Sequence, residues 1–202
     1  MSLFRKIFGS KAERSEEELK SDDRGKYMPE IKLPIDERFT INFKANGGKF
    51  LYCENLDEIF QNLQNILNEN SWEEKEALLI DSNLKDKFKN AHLQITKKAS
   101  EAVFFLTTCE NLIANDGSLL ISSNQIFEKK LTELPVNFVV FATTSQIVEN
   151  IGEGLRGIKS KNKEKIPTNI TTIKHFKSKD EKDFLSYGSS AKNLYLLLLE
   201  DL

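Results

Sequence analysis

Two kinds of apolar spacing alternate along the chain. Continuous apolar runs of about four to eight residues between turn residues mark buried strands, and apolar residues recurring every three or four positions mark a helix face. Residues 50–53, 77–80, 93–96, 118–122, 137–142, 167–173 and 194–199 read as strands. Leu56, Ile59, Phe60, Leu63, Ile66 and Leu67 define an amphipathic helix, with Asn55 as its N-cap and Glu58 as capping-box partner. Asp81-Ser82 opens a shorter helix carrying Leu84 and Phe88. After 137–142 the spacing predicts a helix with Ile147, Val148, Ile151, Leu155 and Ile158 on one face, capped by Thr144 or Ser145. The stretch 36–44 fits either period. Phe39, Ile41 and Phe43 alternate like a strand, whereas Ile35, Phe39 and Phe43 recur at helical spacing. A helix ending at Asn46-Gly47-Gly48 is preferred, because the next strand then starts without an isolated hairpin.

Strands alternating with helices predict an α/β fold: a largely parallel, Rossmann-like sheet with helices on both faces. The apolar run 194–199 belongs in the sheet interior. Residues 1–35 differ from the rest. Leu3, Phe4, Ile7 and Phe8 share a short amphipathic helix with Arg5 and Lys6, and 13–26 is almost wholly polar. The division expected is a flexible N-terminal segment, 1–35, and one domain, 36–202. The short helix reads either as an interfacial anchor touching membrane or as a frayed end packing on protein, and the second is preferred because one short face binds lipid marginally.

At 202 residues the chain can bury one substantial core. Lys+Arg total 29 against Asp+Glu 31, a net charge of −2, which removes the electrostatic reason to expect nucleic-acid binding. No apolar run is long enough to span a bilayer and no secretory leader is visible, so the expected location is cytoplasmic. Cys53, Cys109, His92 and His175 are too few and too scattered for a structural zinc or an iron–sulfur cluster. No cofactor or metal is expected.

Candidate chemistry concentrates between residues 101 and 150. Asp116, Gly117 and Ser118 form a tight turn, and Ser122, Ser123, Thr143, Thr144 and Ser145 follow the ends of two strands. Their hydroxyls and backbone N–H groups suit a small carboxylate or phosphate. The plain alternative is ordinary helix capping. Gly152-Glu153-Gly154-Leu155-Arg156-Gly157 spells a dinucleotide fingerprint. That motif needs its first glycine at a strand-to-helix turn, and here the expected helix has already run about two turns, so helix-to-sheet packing explains the glycines better. Cys109 beside Glu110 lacks the cation a reactive thiolate requires and reads as a small buried hydrophobe. Lys159, Lys161, Lys163 and Lys165 read as a solvated loop rather than a phosphate patch.

The segments NLIANDGSLLISS at 111–123, LPVNFVVFATTSQIVENIGEGL at 134–155 and YGSSAKNLYLLLLED at 187–201 resemble the lactate-utilisation (LUD) domain family, also designated DUF162, over about 36–202. The resemblance implies the NagB/RpiA/CoA-transferase-like fold. It also implies an accessory role in oxidising lactate to pyruvate, beside an iron–sulfur subunit. Three features depart from the family pattern. Tyr187-Gly188-Ser189 stands where the family often carries HGP, no SGPSxTADIE segment precedes it, and Asn115 occupies the place of the nucleophilic Glu in CoA-transferase relatives. An amide cannot form an acyl anhydride, which disfavours acyl transfer.

Two functional readings follow: a ligand-binding accessory subunit of lactate-type metabolism, or an enzyme of the isomerase/CoA-transferase-like fold with its own small substrate. A third reading, a scaffold held at a membrane through Leu3–Phe8, is weaker. The polar segment contributes little apolar surface to a core. A variant lacking residues 1–30 is therefore expected to melt within a few degrees of the full chain and to stay soluble, as differential scanning calorimetry would read.

Overall fold

The computed structural model describes residues 33–176 and 192–201. The amphipathic helix expected near 3–8, the polar stretch 13–26 and the turn at 187–190 lie outside the described residues. Helix α1 (Ile35–Ala45) opens the described chain, followed by β1 (Lys49–Cys53), α2 (Leu56–Asn70), β2 (Glu76–Leu78), α3 (Ser82–Lys87) and β3 (Gln94–Thr96). Next come β4 (Phe104–Thr108), the short strands β5 (Asn111–Ile113) and β6 (Ser118–Ile121), and the single turn α4 (Ser123–Ile126). The chain finishes with β7 (Asn137–Thr143), β8 (Ile147–Val148), α5 (Ile151–Lys161), β9 (Thr171–Ile173) and β10 (Asn193–Leu199).

Six strands form one parallel sheet in the order β1-β10-β7-β4-β2-β3. Alternate residues of its inner strands feed two cores. Phe138, Val140, Leu194, Leu196 and Leu198 pack with Phe39 and Phe43 of α1 on one face. Val139, Phe141, Tyr195 and Leu197 pack with Ile59, Leu63, Ile66 and Leu67 of α2 and Leu84 of α3 on the other. This is the α/β architecture expected, with helices on both faces, and 194–199 does lie inside the sheet.

Phe39 and Phe43 stack 5.4 Å apart and are fully buried, while Ile41 is exposed, so the helical period wins at 36–44. Gly47 ends α1 at φ +85, and its N–H donates to the Lys44 carbonyl. At α2, the Asn55 side chain accepts from the Glu58 N–H, the cap expected.

The structure differs from the expectation in three places. β4 and β5 are strands that the periodicity had not marked, because 103–113 mixes apolar and hydroxyl residues without a turn signal between them. The strand expected at 118–122 is not part of the parallel sheet. It is β6, antiparallel to β5 and β9 in a second sheet ordered β8-β5-β6-β9 that covers the α1 face. Finally, the helix expected from Ile147 begins at Ile151 under an Asn150 cap. Residues Thr144–Gln146 form a 3-10 turn, and Ile147-Val148 then pairs with β5, which satisfies backbone groups that a helix would otherwise have used. On α5 the buried positions are Gly154 and Ile158, and Leu155 is exposed. Gly152 therefore does fall in a first helical turn. Gly154 nonetheless serves packing, since a Cβ there would lie 2.9 Å from the Leu120 side chain.

Gly117 adopts φ +67, and a Cβ at this position would sit 2.4 Å from the backbone of Asn42 and Phe43 in α1. Gly157 has no neighbour within 4 Å of such a Cβ. Gly117→Ala is therefore expected to cost about 1–2 kcal/mol for the backbone conformation alone, with the steric clash adding to it. Gly157→Ala, in an open helix position, should stabilise by roughly 0.5–1 kcal/mol. Urea melts of both variants, read as opposite shifts in midpoint at constant slope, check the pair.

Candidate functional site

A parallel sheet brings all its strand exits to one edge, and ligands bind where adjacent exits lead in opposite directions. Here that point lies between β2 and β4, which are neighbours. The chain leaves β2 through α3 towards β3 on the outside, and leaves β4 through the β5–β6 hairpin towards β7 on the inside.

A cavity of about 590 Å3 opens between these two exits. Asp81 and Asn83 line it from the β2 side, Ser123, Asn124, Phe127 and Glu128 from the hairpin side, and Lys165, Pro167 and Thr168 complete the lining of this open cleft. Asp81 caps α3 through Oδ1, which accepts from the Asn83 N–H at 2.8 Å. The α4 segment is tied to residues 168–169. The Ser123 N–H donates to the Thr168 carbonyl at 2.9 Å, the Thr168 N–H donates to Ser123 Oγ at 3.0 Å, and Thr168 Oγ1 donates to Glu128 Oε1 at 3.3 Å. Within this clamp Phe127 adopts φ 51, ψ −132, a backbone region that disfavours L residues, yet the residue is 56% exposed. Such strain costs on the order of 1–3 kcal/mol. The Asn169 amide holds it in place by donating to the Phe127 and Lys129 carbonyls.

Behind Asn124 stands Glu110, two residues beyond the end of β4. Its Oε1 accepts from Ser122 Oγ at 2.6 Å and from Asn124 Nδ2 at 2.8 Å. In the sequence Glu110 stands out only as a neighbour of Cys109, since without β4 it has no strand end to occupy. Its signal was an acidic residue directly after FFLTTC, the place where an α/β sheet exposes side chains. Gln146 joins this region to β7 by donating through Nε2 to the Cys109 carbonyl at 2.6 Å.

The expected site residues fall into three groups. Ser122 and Ser123 lie at the cavity, Ser123 in its wall and Ser122 on Glu110. Thr143 ends β7 and Thr144 and Ser145 follow it on the same sheet edge, where they hold the carboxylate of Asp201. Thr144 Oγ1 and the Ser145 N–H donate to its Oδ1, each at 2.8 Å, and Ser145 Oγ donates to its Oδ2 at 2.6 Å. Asp116, Gly117 and Ser118 stand at the opposite end of the β5–β6 hairpin. There Asp116 Oδ1 accepts from the Ser118 hydroxyl at 2.6 Å, Asn46 Nδ2 donates to the Asp116 carbonyl at 2.7 Å, and Lys174 lies 3.7 Å from the Asp116 carboxylate. Asn115, nearby, accepts from Arg38 at 3.0 Å.

Cys53 and Cys109 are buried in separate cores on opposite faces of the sheet. Burial pushes both thiols up, and Glu110 adds to the shift at Cys109. Among the described residues no group of three or more His, Cys, Asp or Glu is placed to hold a metal ion, and no helix is long and apolar enough to cross a membrane.

A family model described as LUD domain matches residues 37–199. Among solved structures, the chain is similar to a DUF162 family protein from Deinococcus radiodurans, with 13% identity and a TM-score of 0.58 over 84% of this chain and 100% of that one. At that identity the likeness bears on the fold alone. No curated protein matches the chain.

For the Asp201 carboxyl, partial burial acts to raise the pKa. The Ser145 hydroxyl and N–H and the Thr144 and Thr143 hydroxyls outweigh it and hold the group down to about 2, from 3.8. A depressed carboxyl stabilises the fold above its unfolded pKa and loses that contribution as pH falls through the folded one. The contribution is therefore complete above about pH 4 and gone below about pH 2. Because Asp201 is exposed, it amounts to well under about 1 kcal/mol. An NMR titration of the side-chain carboxyl should place Asp201 near 2 in the native chain and move it back towards 3.8 in Ser145→Ala.

Proposed function

We propose, from the premise that the chain belongs to the LUD domain family, that it is an accessory, ligand-binding subunit in the oxidation of lactate to pyruvate. In this reading it works beside an iron–sulfur subunit and holds a small carboxylate or phosphate at the carboxyl edge of its parallel sheet. The observation that carries the reading is the cavity between the β2 and β4 exits. Its wall offers the Lys165 ammonium, the Ser123 and Thr168 hydroxyls and the Asn83 and Asn124 amides. Lys165 enters no ion pair among the described residues, so its charge is available to an anion. The two carboxylates in the wall oppose a bare anion, but each accepts a hydrogen bond, Asp81 from the Asn83 N–H and Glu128 from Thr168. They suit a ligand that carries hydroxyl groups as well as negative charge. The lysine counted with a solvated loop in the sequence reading is thus the cation on which this proposal turns.

Glu110 favours the second reading, an enzyme of the isomerase/CoA-transferase-like fold. It is a carboxylate at a strand exit whose orientation is set by Ser122 and Asn124, and Asn124 also faces the cavity. Glu110 is not itself in the cavity wall, so on this reading it would take a proton from a bound substrate through one bridging water. On this reading Glu110→Gln would keep ligand affinity and abolish turnover.

Thermal melts with L-lactate, pyruvate and orthophosphate test the ligand. Ligand at about a hundred times its dissociation constant adds roughly 2.7 kcal/mol, which is on the order of 5–10 °C for a chain of this size. Lys165→Ala should remove the shift, and Thr144→Ala should leave it unchanged if the cavity rather than the β7 turn is the site. Mixing the purified chain with a purified iron–sulfur subunit of a lactate-oxidising system should give a complex by size-exclusion chromatography. No shift with any of the three compounds and no complex would remove the accessory-subunit reading.

A further inference from the structure

The cavity is larger than a three-carbon acid requires. Its volume of about 590 Å3 corresponds to roughly twenty water molecules at about 30 Å3 each. Lactate or phosphate would displace only a few of them and leave the rest of the wall wet. The wall also holds a feature that a small acid does not use, the Phe127 ring. An exposed aromatic side chain needs no explanation by itself. This one is held in a backbone conformation that glycine adopts freely and phenylalanine resists, and the Ser123–Thr168 and Asn169 hydrogen bonds keep it there. The residue gains little from packing in return, being 56% exposed. Strain maintained at a cavity wall, with a flat apolar surface as its product, is the pattern of a ligand platform.

We infer that this cavity binds a mononucleotide-class ligand, with a planar heteroaromatic ring stacked on Phe127, a phosphate on Lys165 and ribose hydroxyls on the carboxylates of Asp81 and Glu128. The inference rests on the reading that the cavity takes an anion and enlarges what that anion is attached to. Each part of the ligand meets a matching chemistry. A base ring stacks on an aromatic face without needing a particular sequence of donors. A vicinal diol donates to acceptors, and Asp81 keeps Oδ2 free of hydrogen bonds among the described residues, since its cap uses Oδ1 alone. The Asn83 and Asn124 amides supply a donor or an acceptor for the polar edge of the base. The glycines at 152–157 take no part, since none of them lines this cavity.

Isothermal titration of the full chain with AMP, adenosine, orthophosphate, L-lactate and pyruvate tests the assignment. AMP should bind more tightly than adenosine or orthophosphate. Phe127→Gly should weaken AMP roughly 5- to 150-fold, the range set by loss of one stacked base. The same substitution should leave the melting temperature unchanged or raise it, because glycine relieves the backbone strain, whereas a merely structural phenylalanine would destabilise on removal. Phe127→Tyr should retain binding. Lys165→Ala should weaken AMP and leave adenosine unaffected. AMP binding that survives Phe127→Gly overturns the inference. Binding of lactate, pyruvate or orthophosphate with AMP no tighter than orthophosphate also overturns it, and leaves the small-anion reading standing. No binding by any of the five removes both.

Discussion

Every strand of the main sheet runs in the same direction, and this constraint determines where the chemistry of the molecule can lie. A parallel sheet carries all its exits on one edge, so six chain segments turn away from the sheet within a short distance of one another. Each exit leaves polar backbone groups that must find partners. The side chains at this edge provide them. Gln146 satisfies the carbonyl of Cys109, Asp201 takes the N–H of Ser145, and Asp81 takes the N–H of Asn83. Polar residues are concentrated at the edge because the backbone needs them there. A binding site arises only where two adjacent exits diverge and leave a gap between them.

That distinction explains what became of the hydroxyl turn after β7. Its donors have the arrangement a carboxylate needs, and they hold one, but it comes from Asp201 of the same chain. β10 and β7 are neighbours with Leu199 opposite Thr143, so the residue two beyond β10 arrives beside the residue two beyond β7. The two exits run together and leave no gap. Between β2 and β4 the exits part, and the cavity fills the separation. The same kinds of groups, hydroxyls and amides at strand ends, thus serve as an internal fastening at one exit and as the wall of a cleft at the next.

Much of the architecture was legible in the sequence because the strong periods belong to the large elements. The helix from Leu56 and the buried runs of β7 and β10 follow from clear spacing, whereas 36–44 fits two periods and the stacking of Phe39 on Phe43 decides for the helix. The second sheet was legible only in part: 118–122 and 167–173 read as strands and contain β6 and β9, while β5 and β8, and the sheet's separation from the parallel one, were not readable. Its strands are two to four residues long, too short to show a period, and β6 is buried throughout although it is antiparallel. A fully apolar run reads the same in either orientation. Of the site, Ser122, Ser123 and the Thr143–Ser145 cluster could be placed at strand ends from their positions after apolar runs. Glu110 could not, because the strand before it was hidden in a mixed segment. Phe127 and Lys165 were out of reach for a different reason: nothing in a one-dimensional pattern shows that residues 38 positions apart will line one cavity.

The position of β10 has a consequence for how the chain acquires its shape. It is the last strand in sequence and pairs with both β1 and β7. Until residues 193–199 are available, β1 has no partner and β7 offers one bare edge, while the faces of both strands already demand burial. Residues 193–199 must therefore be made before the sheet can close, and its closing contacts span long sequence separations. A chain made only as far as β9 would lack the strand that joins β1 to β7. A β10 segment from a second molecule would meet the same two edges, so this topology permits strand exchange between copies.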